Sequence, residues 1–177
     1  MSLFKPFNWP GGSVACAEAC AARTLPIDAI PEWTGLPISD VARAMESIGR
    51  LEDCVTTAEY LKLGYPDNPY FTVELNCALG RCYAKMGRAD EAVSAFEAAF
   101  AECTRAGHPY HEVLARCEYI EHVLDPEGRR AEGLVLLGKT IKSLVLDPSA
   151  YNDVLGAWDI DAEAAVVAYN KALANEP

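Results

Sequence analysis

Positive charge is what this chain has least of. Lysine and arginine number 15 against 26 aspartates and glutamates in 177 residues, a net charge of −11. A surface of that sign repels a phosphate backbone, and Arg129-Arg130 is the single adjacent basic pair, so nucleic acid is not an expected partner. No apolar run approaches the ~20 residues that cross a bilayer, so no membrane span is expected. Catalytic signatures are missing as well. The chain has no Gly-x-Ser-x-Gly elbow, no complete phosphate loop and no His-Glu-x-x-His pair. Gly138-Lys139-Thr140 matches only the end of a phosphate loop, and it falls inside a predicted helix with no strand before it. Acidic residues follow helix starts and exposed faces, so no acid–base pair stands out. The expectation is a non-enzyme without a cofactor.

Histidine is sparser still, with its three copies, His108, His111 and His122, in one region. A predicted helix over 109–124 carries an apolar stripe of Val113, Cys117, Ile120 and Leu124. His111, Ala115, Glu118 and His122 form a second, polar stripe. Glu118 and His122 are one turn apart, a permitted spacing for two metal ligands. His111 lies roughly 16 Å from His122 along the helix, too far to share an ion. Two ligands do not make a metal site, and none is expected.

Seven cysteines could suggest a disulfide framework, but the number is odd and the first residues lack the continuous apolar core of a secretion signal. Cys54, Cys77, Cys82, Cys103 and Cys117 fall mostly on apolar helix faces, where a free cysteine acts as a small hydrophobe. They read as reduced and buried, and the compartment as cytoplasmic. The lack of acids before Glu18 leaves an organelle lumen as the alternative. Cys16 and Cys20, one turn apart on a predicted helix over 13–23, are the pair to watch for redox or metal chemistry.

Half of the residues are hydrophobic (51%), enough to bury a core. Residues 1–37 read as an N-terminal arm: an irregular start, the short alanine-rich helix, and a connector that Pro26, Pro31 and Pro37 prevent from being one helix. A repeating pattern occupies 38–177. Its clearest part is a helix over 72–86 with Val73, Leu75, Leu79, Cys82, Tyr83 and Met86 on one face. Gly80 lets a neighbouring helix approach, and Gly87 ends the helix. Asp90 and Glu91 then open a second helix with Ala92, Val93, Phe96, Ala99 and Phe100 on its apolar face. So short a link forces an antiparallel hairpin. Gly49-Arg50-Leu51-Glu52-Asp53 anticipates Gly87-Arg88-Ala89-Asp90-Glu91 by 38 residues, and Gly128-Arg129-Arg130-Ala131-Glu132 echoes it 41 later.

Leu79-Gly80-x-x-Tyr83 followed by Ala92-x-x-x-Phe96-x-x-Ala99 resembles the tetratricopeptide repeat, and Ala165-x-x-x-Tyr169-x-x-Ala172 with Pro177 resembles its second helix again. The spacings exceed the usual ~34 residues, and Asn76 stands where the family prefers a large residue such as tryptophan. The resemblance implies an all-α fold of antiparallel helical hairpins stacked as a short solenoid. It also implies a scaffold or adaptor that binds a peptide or helix of another protein in a concave groove lined by first helices. Carried over residue by residue, that groove holds Glu74, Cys77, Arg81, Ala84 and Lys85, with Ala115, Glu118 and His122 from the next repeat. Arg81 and Lys85 would meet an acidic or C-terminal group, while Glu74, Glu118 and His122 would give polar contacts. Cys77, Ala84 and Glu118 depart from the lysine and asparagine set with which some members grip a C-terminal carboxylate.

Two other classes compete. A structural subunit would dock onto a larger complex through the arm, and a sensor would use Cys16 and Cys20. Tyr169 and Ala172 look ready to pack against another helix, which implies an end-to-end homodimer or a longer parent protein.

Overall fold

The computed structural model describes residues 18, 19, 21, 22, 44–64, 67–144 and 148–175. Among these residues the chain is all-helical, with no strand. The main elements are α1 (Leu51–Gly64), α2 (Pro69–Lys85), α3 (Ala89–Ala106) and α4 (Pro109–Tyr119). A π-helical turn, Ile120–Leu124, prolongs α4, and α5 spans Arg130–Leu144. Three short pieces follow: a 3-10 turn (Pro148–Tyr151), α6 (Asn152–Leu155) and a second 3-10 turn (Gly156–Trp158). The last helix is α7 (Ala162–Ala174). Cys16, Cys20, the arm, the connector and the expected boundary near residue 38 lie outside the described residues or largely so.

The helix expected over 72–86 begins three residues earlier. Pro69 takes a first-turn position, where its missing N–H costs nothing, and Asn68 Oδ1 accepts the Phe71 N–H at 3.3 Å. The turns that lead into α1, α3 and α5 share one recurring device. At Gly87 (φ +74°) the chain turns left-handed, the Gly87 N–H bonds the Ala84 carbonyl (3.0 Å) and the Arg88 N–H bonds the Tyr83 carbonyl (2.9 Å). That pair of bonds satisfies the last carbonyls of α2, and only glycine adopts such a φ without steric cost. Arg88 then starts α3: its carbonyl accepts the Ala92 N–H (3.0 Å) and its Nε donates to Glu91 (3.0 Å). The same bonds recur around Gly49-Arg50, where Arg50 reaches Asp53, and around Gly128-Arg129, where Arg129 reaches Glu132. The Gly107-His108 turn repeats the backbone pattern without the arginine.

The chain divides into two compact units, residues 1–98 and 99–177, with the division inside α3. In the first, α1 packs on α2 around Met45, Cys54, Ala58, Leu61, Leu75, Leu79 and Cys82. Gly80 faces Phe96; a Cβ there would lie 2.6 Å from the ring, so the glycine is what lets this side of α2 approach the fully buried phenylalanine. In the second, α5 packs on α4, the π-turn and α7. Its core includes Val113, Ile120, Leu124, Leu137, Ile141, Leu155 and Ala165. Gly138 gives the closest crossing, since a Cβ would fall on the Ala165 carbonyl. The Gly138-Lys139-Thr140 segment is thus mid-helix packing, as its place in the sequence implied.

Candidate functional site

The residues assigned to a groove fall in both units, and each unit has its own arrangement. In the first, Arg81 is buried, at 7% exposure, and its partner is Glu46. The guanidinium Nε donates to both Glu46 oxygens (3.2 and 3.1 Å), and Nη2 lies 3.1 Å from Oε2. Lys85, still half-exposed, donates to Glu46 Oε1 at 2.7 Å. The acidic group that Arg81 and Lys85 were expected to take from a partner is therefore supplied by this chain. Burial pushes the Glu46 carboxyl up, but the hydrogen bonds and charges of Arg81 and Lys85 outweigh it and hold it below its ordinary value. Cys77 is buried too, which narrows the open face to half-buried Glu74 and Ala84 and exposed Lys85. Glu46 was not singled out beforehand. Its one sequence signal is its place three residues before a turn glycine, the position that Asp125 holds before Gly128.

In the second unit Glu118 and His122 are both half-buried, while Ala115 is buried. Glu118 belongs to α4, but His122 belongs to the π-turn. There the Asp125 N–H reaches the Ile120 carbonyl at 2.8 Å, five residues back. The wider turn changes the register that the uniform stripe of His111, Ala115, Glu118 and His122 had assumed. His122 Nε2 comes within 3.7 Å of Glu121 Oε2, an oxygen that also accepts the Trp158 Nε1–H at 2.9 Å.

Beside the π-turn is a cavity of about 320 Å³, walled by Cys117, Ile120, Asp125, Arg130, Trp158 and Asp159 among others. Arg130 closes one side by donating to Asp125 Oδ2 (2.5 Å) and to the carbonyls of Trp158 and Asp159 (2.9 Å each). Asp159 turns left-handed (φ +53°), which presents its carbonyl to Arg130. Asp125 Oδ1 is buried without a hydrogen bond. The polar groups of this wall mostly satisfy one another, so the arrangement clasps the Trp158 turn to the end of α4. None of these residues was picked from the sequence as a site.

The cysteines behave as core. Cys54, Cys77, Cys82, Cys103 and Cys117 are free and buried. Burial pushes the Cys103 and Cys117 thiols up to about 12. Cys54 and Cys82 share a hydrogen bond across α1 and α2, which with burial raises the Cys82 thiol. Among the described residues no group of three or more His, Cys, Asp or Glu could hold a metal ion. No helix among them is long and apolar enough to cross a membrane. Compared with protein-family models, curated proteins and solved structures, the chain matches none.

Proposed function

We propose that the chain is a non-catalytic protein-interaction module, a scaffold or adaptor built from tetratricopeptide-like hairpins and binding a peptide or helix of a partner protein. The observation that carries this reading is the recurring Gly-Arg turn, with the same backbone bonds and the same arginine-to-acid contact at residues 49, 87 and 128. A chain that repeats one hairpin device presents helix faces in series, and preformed faces lower the ordering cost of a bound segment. On this reading Glu74 and Lys85 serve the first unit, and Glu118 and His122 the second. Arg81 acts indirectly, by holding Glu46.

The test is affinity capture with the intact chain, then direct titration of the captured segment. Glu74→Lys and Glu118→Lys, each at unchanged melting temperature, are expected to weaken binding at least tenfold. Failure to recover any polypeptide, or unchanged affinity in both variants, would overturn the reading.

A structural subunit is the second reading. It is favoured by Val167 and Leu173 on α7, which are 64% and 42% exposed and offer an apolar face to another chain or a second copy. Tyr169, expected to be available there, is instead half-covered, with the Lys142 ammonium 5.5 Å from its ring centre.

A further inference from the structure

A second cavity, of about 260 Å³, opens in the first unit between α1, α2 and the first half of α3. Its floor includes buried Leu79 and Ala95, and its rim includes exposed Ala98 and Ser94 with Lys62 and Tyr83. Asn76 lines it as well, and that residue is only 3% exposed. The Asn76 carboxamide has no hydrogen-bond partner among the described residues, whereas Thr72 before it and Arg81 after it are both bonded. Asp125 Oδ1 is the one buried side-chain polar atom without a partner among the described residues, so the Asn76 carboxamide keeps contact with solvent in the cleft, and an occupant there would replace water on it. The Asn76 position is also where the tetratricopeptide pattern prefers a large ring, so a small polar side chain here leaves room together with a donor and an acceptor that no group of the described residues takes.

We infer that Asn76 is the recognition residue of a cleft that takes an extended peptide segment of a partner protein, its carboxamide pairing with one peptide group. This deepens the interaction-module reading and rests on it. Three features select the ligand. A carboxamide carries an acceptor oxygen beside an N–H donor, the complement of a peptide C=O and N–H. The cavity is smaller than the ~300–1,000 Å³ typical of sites for free small molecules, so it suits one element of a larger chain. Leu79 and Ala95 make its buried wall apolar, and its charged lining is Glu59, Glu91 and Lys62, of which Lys62 lies 3.8 Å from Glu59. In a chain of net charge −11 that balance disfavours nucleotides, although asparagine also pairs well with an adenine edge.

The test is NMR titration of the ¹⁵N-labelled full chain with acetylated, amidated hexapeptide pools, each fixing one central residue. The Asn76 side-chain resonances are assigned by their loss in Asn76→Leu. At least one pool is expected to shift them. Asn76→Leu, which fills the cavity without an amide, should weaken that binding tenfold or more while leaving the melting temperature unchanged or higher. Asn76→Ser, a milder variant, should weaken it too, as should N-methylation of the contacting peptide bond. Peptides that bind both variants as tightly as the parent would overturn the Asn76 inference and leave the module reading standing. Adenosine shifting the same resonances where no peptide does would overturn the choice of ligand. No pool binding anywhere on the chain would count against both.

Discussion

Glu46 sits against two cations, and the acid stability of the first unit follows from that pairing. Its folded carboxyl is held below its ordinary value, so the stabilisation is fully present above the unfolded carboxylate range and is lost as pH falls through the depressed folded value. Glu46→Gln leaves Arg81 buried beside a neutral amide, which is expected to cost about 3 kcal/mol near neutrality. The same variant should show a flatter fall in melting temperature between pH 5 and pH 3 than the parent chain. Parallel pH slopes would show that the pairing contributes nothing. Two glycines separate conformational strain from steric strain. Gly87→Ala meets no atom within 4 Å, so its cost is the left-handed backbone alone, about 1–2 kcal/mol. Gly138→Ala drives a methyl onto the Ala165 backbone, which has no rotamer to yield, and is expected to cost about 3 kcal/mol or more. Urea denaturation measures both, and equal costs would mean that α5 and α7 separate easily.

Elements were legible where periodicity and punctuation agree. The Gly-Arg-acid echoes marked three helix starts because one dipeptide does two jobs there, closing a helix and opening the next. Gly80 was legible as a close approach because it stands at helical spacing among larger apolar residues. The π-turn was not. Its sequence, Ile120–Leu124, carries the same apolar spacing as an α-helix, and only the Asp125-to-Ile120 bond distinguishes it. Arg81 was assigned to the groove by carry-over from the repeat family, whereas its burial depends on Glu46, 35 residues earlier in the chain. Asn76 was noticed only as a departure from the repeat pattern. Its significance needs both its burial and its unpaired amide, and neither is written in local sequence.

At the scale of the whole molecule, acidity and thiol chemistry give separate expectations. The five described cysteines are buried, and burial holds Cys103 and Cys117 far above neutrality. The thiolate is the reactive form, so iodoacetamide at pH 7.5 should leave these five unlabelled in the native chain and label them all in urea. Fast native labelling at Cys54 or Cys82 would mean that the α1–α2 core opens readily. A net charge of −11 repels polyanions. The central claim, a module that binds polypeptide, is tested most directly by site-specific photocrosslinking from position 74 of the intact chain in extract of its source cells. The account predicts a discrete adduct with one polypeptide, reduced by excess unlabelled chain. Small-molecule adducts alone, or no saturable adduct, would contradict it.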